Sequence, residues 1–154
     1  MASKRNPVTL MQKNLSILRK INGWTTEELG TKIGVTKQTI SNLENYKVVM
    51  TKSQYIALRS VFEYEIRCVS ENQTLQRIML LLFYSDITFD DTSEAAIDEA
   101  LNNIAAAASG GVKGNQLYLL STTLLSPMKL PVLSKTVKIN DQPYMWVGEL
   151  EEEE

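Results

Sequence analysis

The chain of 154 residues contains no histidine and one cysteine, Cys68. Without histidine it lacks the commonest general base and the commonest metal ligand. One thiol excludes an internal disulfide framework, and a zinc site would have to be assembled from that thiol and carboxylates. No catalytic site, metal or cofactor is therefore expected. Long apolar runs are missing as well. The longest, residues 78–84, is far too short to span a bilayer. The opening MASKRNPVTLMQKN is basic but has no apolar run behind it, so no signal peptide is expected. The expectation is a cytoplasmic protein with no membrane partner. Positive charge is scarce after residue 68. Residues 1–68 carry 11 Lys/Arg against five Asp/Glu, and residues 69–154 carry five against 13. A basic half joined to an acidic half suggests that the first binds a polyanion and the second does something else.

What is present is organised around residues 25–45, TTEELGTKIGVTKQTISNLEN. Thr25 and Glu28 have capping-box spacing, so a helix starts there. Leu29 and Ile33 lie one helical turn apart and face inward. Gly34 sits where that helix must stop, because it accepts a left-handed backbone cheaply. Val35 fills the corner, Thr36 can cap a second helix, and Ile40 and Leu43 hold that helix to a core. At about 100° per residue, Gln38 and Asn42 fall nearly opposite Ile40 and Leu43, with Ser41 and Asn45 beside them and Lys37 in the first turn. This outer face carries amides, an amine and a hydroxyl but no carboxylate. A carboxylamide matches the N6/N7 edge of adenine, and an amine matches guanine O6/N7 or a phosphate. A solvated polar face on an ordinary helical hairpin is the plainer alternative. Cap, glycine, corner valine and acid-free face together favour a surface that reads double-stranded DNA.

The pattern resembles the lambda-repressor-like, or XRE, helix-turn-helix family. The resemblance covers residues 15–66 and rests on LRK at 18–20, TTEELGTKIGVT at 25–36 and KQTISNLEN at 37–45. It implies an all-α DNA-binding domain whose helix after Thr36 enters the major groove. Base contacts are then implied for Lys37, Gln38 and Asn42, with Ser41 on the same face. Thr26 and Asn45 occupy positions that touch phosphates in the family, and Thr36 joins them at the helix start. Arg19 and Glu44 match an arginine and a glutamate that pair inside the domain. Two positions depart from the pattern: Thr26 stands where Gln is frequent, and Tyr46 where Gly is frequent.

In the rest of the chain, Lys4 and Arg5 lie on a loose arm that either reaches DNA or touches nothing. Asn6-Pro7 starts a helix running to about Ile21, with Met11, Leu15 and Leu18 inward. Trp24 reads as an edge-of-core residue. Residues 46–52 form the loop after the recognition helix, and Lys47 and Lys52 at its ends are candidates to neutralise phosphates. Thr51 or Ser53 caps a helix running to about Phe62, with Tyr55, Leu58, Val61 and Phe62 closing the core. Residues 72–84 form a helix that is apolar nearly all round from Ile78 and so needs burial on more than one side. A second subunit is slightly preferred over an intrachain core as its source. Residues 86–92 read as a polar loop and residues 93–109 as a helix stopped by Gly110-Gly111. GGVKG at 110–114 lacks the Gly-Lys-Ser/Thr of a phosphate loop and reads as a connection. Residues 115–126 have leucines at helical spacing, with a strand as the alternative. Residues 136–140 and 144–148 could pair as a small β-hairpin carrying Trp146, and the tail 149–154 holds five acids.

The expected architecture is therefore a helix-turn-helix domain at residues 1–66 and a mainly helical region at 67–154 for self-association or partner binding. The expected function is transcriptional regulation, most readily repression, by a homodimer on a near-palindromic operator. Two rivals stand beside it. One is an antitoxin-like or adaptor protein whose acidic half holds a protein partner. The other is an enzyme using the helical bundle to oligomerise, which the missing histidine disfavours.

Overall fold

The computed structural model describes residues 6–69, 72–83 and 91–125. Helix α1 (Pro7–Ile21) begins where Asn6 Oδ1 accepts the Val8 and Thr9 amides, 2.9 and 3.3 Å away, with Pro7 at the first helical position. Helices α2 (Thr26–Ile33) and α3 (Lys37–Glu44) form the expected hairpin. Thr25 and Glu28 close a capping box on α2, and the Thr36 hydroxyl accepts from the Thr39 amide to start α3. Helix α4 (Lys52–Tyr64) opens with a second capping box, Thr51 with Gln54, and runs two residues past Phe62 into a single π-helical turn, Glu65–Val69. Helices α5 (Gln73–Phe83), α6 (Asp91–Ser109) and α7 (Gly114–Leu125) follow. The described residues are all-α and contain no strand. Asp91 and Thr92 belong to α6 rather than to a preceding loop, and residues 114–125 are helix, which settles the choice between helix and strand. The arm with Lys4 and Arg5, the hairpin expected within 136–148, Trp146 and the acidic tail lie outside the described residues.

Helix α1 is the hub, touching α3, α4, α5 and α6. Met11, Leu15 and Leu18 from α1 and Leu29, Ile40, Leu43, Tyr55, Leu58 and Phe62 from the next three helices are fully shielded from solvent. The buried cluster continues without a break through Leu75, Ile78 and Met79 of α5 to Leu101 and Ile104 of α6 and Leu125 of α7. The all-round apolar character of α5 is accommodated here. Leu80, Leu81 and Leu82 are buried within the single chain, where α5 packs against α1, α7 and the π-helical turn, so a second subunit is not needed to cover them. Lys13 of α1 lies 2.7 Å from Asp98 and 3.7 Å from Glu94 of α6, so the basic and acidic halves meet in part. Among the described residues no helix is long and apolar enough to cross a membrane.

The hairpin closes tightly on Gly30. A Cβ there would meet the Val35 carbonyl oxygen at 2.6 Å and Thr36 backbone atoms at 3.2 Å. All of these are backbone atoms of the turn, with no flexible side chain to move, so α2 and α3 would have to separate. Gly30→Ala should cost about 2 kcal/mol, as overpacking does in a filled site. Thermal unfolding should show it as a fall of about 4–8 °C in Tm.

Candidate nucleic-acid interface

Helix α3 has one carboxylate, Glu44, and the fold removes it from the outer face. Glu44 Oε2 and Oε1 accept from Arg19 Nε and Nη2 at 2.7 and 2.9 Å, while Arg19 Nη1 donates to the Trp24 carbonyl at 2.9 Å. The side chains are only 13% and 10% exposed. This two-pronged pair fixes the end of α3 to α1 and sets the angle at which α3 stands. Trp24 supports the same corner. It stacks on Phe62 at 5.9 Å and carries the Lys32 ammonium 4.5 Å from its ring.

The surface left over is polar and free of acid. Lys37, Gln38 and Asn45 are exposed, and Ser41 and Asn42 half-buried. The structure brings Gln38 and Asn42 together, one turn apart, with Gln38 Nε2 donating to Asn42 Oδ1 at 2.9 Å. That bond orients both amides and leaves Gln38 Oε1 as an acceptor beside Asn42 Nδ2 as a donor. Asn45 Nδ2 donates to the Ser41 carbonyl at 2.9 Å and to Ser41 Oγ at 3.2 Å, which anchors Asn45 to the helix end. Thr36 uses its hydroxyl on Thr39, through the amide at 3.2 Å and the hydroxyl at 3.1 Å. The remaining candidates stand on neighbouring segments. Thr26 opens α2 and is half-buried, Lys47 is exposed in the loop after α3, and Lys52 opens α4 and is half-buried.

That loop is held in a way the sequence pattern does not announce. Gln12, on α1, is buried and reaches across the domain. Its Nε2 donates to the carbonyls of Leu43 and Val48 at 3.0 and 2.7 Å, and its Oε1 accepts the Met50 amide at 3.0 Å. One side chain thereby ties the end of α3 to both sides of the turn carrying Lys47. The signal was present as a polar residue interrupting the inward stripe between Met11 and Leu15.

Tyr46 occupies the position where the family pattern favours glycine, and it keeps the glycine conformation. Its φ is +58°, the one positive value for a non-glycine residue among those described. The Lys47 amide bonds back to the Asn42 carbonyl at 2.9 Å and the Tyr46 amide to Leu43 at 3.3 Å, the pair of reversed bonds that ends a helix through a left-handed residue. A β-carbon in that region costs about 1–2 kcal/mol, and the ring, 63% exposed, recovers little by burial. Tyr46→Gly should therefore raise stability by about 0.5 kcal/mol after glycine's greater backbone entropy is subtracted. Urea denaturation with an unchanged m-value would register it.

Among the described residues no group of three or more Cys, Asp or Glu side chains converges as a metal site would require. Residues 15–66, about a third of the chain, fit the family model described as helix-turn-helix. Neither a curated protein nor a solved structure matches the chain.

Proposed function

Because residues 15–66 are a lambda-repressor-like helix-turn-helix domain and mark the chain as a DNA-binding transcriptional regulator of that type, we propose that it represses transcription as a homodimer on a near-palindromic operator. The observation that carries this reading is the acid-free strip on α3, with its own carboxylate locked inward by Arg19. Gln38 Oε1 and Asn42 Nδ2 together offer the acceptor and donor that adenine N6 and N7 require. Lys37 and Ser41 flank them on the same helix. Lys47 and Lys52 on the adjoining loop and helix, Thr26 and Asn45 at helix ends, and Thr36 at the start of α3 supply phosphate contacts. With the Thr36 hydroxyl engaged, a phosphate there is held through the first exposed amides of α3.

Arithmetic supports a dimer. Four side chains on an eight-residue helix read roughly three or four base pairs, a run that recurs about every hundred base pairs or so and specifies little. Two copies reading half-sites about 34 Å apart specify far more. In this reading residues 1–66 bind DNA and residues 67–154 mediate self-association or hold a protein partner, in the cytoplasm. The family is one of DNA-binding regulators rather than catalysts.

Selection of bound fragments from a random DNA pool tests the proposal, and should return an inverted repeat with one-turn spacing. An affinity that does not fall with salt would overturn it, since each phosphate neutralised contributes about -0.9 to the log-log slope. Two substitutions separate base reading from phosphate holding. Gln38→Ala should cost roughly 1–3 kcal/mol at one operator position and relax the preference there. Lys47→Ala should weaken binding to all sequences alike and reduce the salt slope by about one. Equal losses on every sequence for both variants would show the assignments to be wrong.

A further inference from the structure

Away from α3, the end of α1, the start of α5 and the turn between α6 and α7 enclose a cleft of about 610 Å³. That volume is within the range of small-molecule sites, roughly 300–1,000 Å³. The floor is apolar, made by Ile21 and Leu117, both buried, with Val112 half-buried beside them. The polar groups are of three kinds: Gln73 and Asn115 are exposed neutral amides, Asn22 and Asn72 are already used, and two lysines remain. Asn22 donates to the Leu18 carbonyl at 2.9 Å and Asn72 accepts the Leu75 amide at 3.0 Å, so both serve the fold. Lys20, half-buried on one wall, and Lys113, exposed on the other, pair with no acid among the described residues. Among the described residues no carboxylate lines the cleft. Two lysines from segments far apart in sequence thus line one apolar-floored space, and no described residue on its walls supplies an acid to neutralise them.

We propose that this cleft binds a small organic anion, an apolar body carrying a carboxylate or phosphate. The apolar body covers Ile21, Val112 and Leu117, and the anionic end takes the Lys20 and Lys113 ammonium groups. A neutral apolar compound would leave both cations unused, and an inorganic anion would leave the floor wet. The site is independent of the recognition helix and does not rest on the DNA-binding reading.

Titration of the isotopically labelled full chain, without DNA, with benzoate, hexanoate and phenyl phosphate tests the proposal. Benzyl alcohol and hexanol serve as neutral counterparts, all at fixed ionic strength. Saturable amide shifts are expected at residues 20–23, 72–73 and 112–117 for at least one anion, with affinity at least tenfold above that of its neutral counterpart. The paired substitution Lys20→Ala with Lys113→Ala should weaken that binding at least tenfold while the other amide resonances stay in place, and Lys113→Ala alone, at an exposed position, should weaken it in part. Three results would each overturn the proposal: no saturable shift there with any of the three anions, equal affinity for neutral and anionic compounds, or binding unaffected by loss of both lysines.

Discussion

Gln12→Met should cost the fold about 3 kcal/mol, although it conserves side-chain volume and places an apolar residue in an apolar setting. The usual hydrophobic reasoning gives the opposite sign. The loss arises in the groups left behind. The Met50 amide is buried and has Gln12 Oε1 as its acceptor at 3.0 Å, and a buried donor without a partner costs about 1–3 kcal/mol. The Val48 carbonyl loses a donor at 2.7 Å but is only partly buried, so water can replace it in part. The Leu43 carbonyl loses the contact at 3.0 Å yet keeps the Tyr46 amide at 3.3 Å. One large and two smaller terms give the total. Urea denaturation would show it as a lower midpoint. The functional consequence is separable, because the three lost bonds all lie at the end of α3 and the loop carrying Lys47. Under conditions where the variant is still folded, hydrogen exchange should accelerate at residues 46–50 first and leave α5 to α7 protected. A drop below about 1 kcal/mol would mean the loop is held by its own turn alone.

Gln12 also marks the limit of what the sequence displayed. The α2–α3 hairpin was legible because each of its features is local. A threonine three residues before a glutamate, a glycine at a helix end and an apolar pair one turn apart report their roles within a few positions. The pairing of Arg19 with Glu44 was legible only through resemblance, since 25 residues separate two side chains that individually look like surface charges. Gln12 showed only as a polar residue interrupting the inward stripe, a sign that does not say what it bonds. Its partners lie 31 to 38 residues away and are backbone atoms, which carry no residue identity. Gly30 went unread for a related reason. A glycine inside a short helix looks like a weak residue until the Val35 carbonyl is placed 2.6 Å from the missing Cβ. In α5 the pattern correctly demanded burial on several sides. It could not say that α1 and α7 of the same chain supply that burial, because periodicity reports that a face is covered and not by what. The outer face of α3 was readable as a set of residues. The bond between Gln38 and Asn42, which turns two flexible amides into one oriented donor and acceptor, was not.

Arg19→Ala should destabilise the protein by about 3 kcal/mol and lower DNA affinity further than the fold alone would explain. The substitution strands Glu44, 10% exposed, with no cation to meet its two oxygens, and breaking a buried pair from one side costs about 3–5 kcal/mol. The residual exposure places this pair at the lower end of that range. The Trp24 carbonyl loses its donor as well. Glu44→Ala should cost less than Arg19→Ala, because the freed guanidinium keeps its bond to Trp24 and has a long stem to reach solvent. The informative variant removes both charges. Arg19→Met combined with Glu44→Leu should come within about 1 kcal/mol of the parent, since a packed apolar pair replaces an ion pair with little net loss. Its DNA affinity then isolates the geometric role. If the pair acts only by fixing the angle of α3, the apolar replacement should restore specific binding to within a few-fold, because α3 remains clamped to α1 and Gln38 and Asn42 keep their orientation. If stability returns and specific binding does not, the guanidinium contributes to DNA recognition directly. Urea midpoints for the three variants beside operator affinity at one salt concentration distinguish the two outcomes. A loss for Arg19→Ala below about 1 kcal/mol, the range of solvent-exposed pairs, would remove this clamp from the account of how α3 is held.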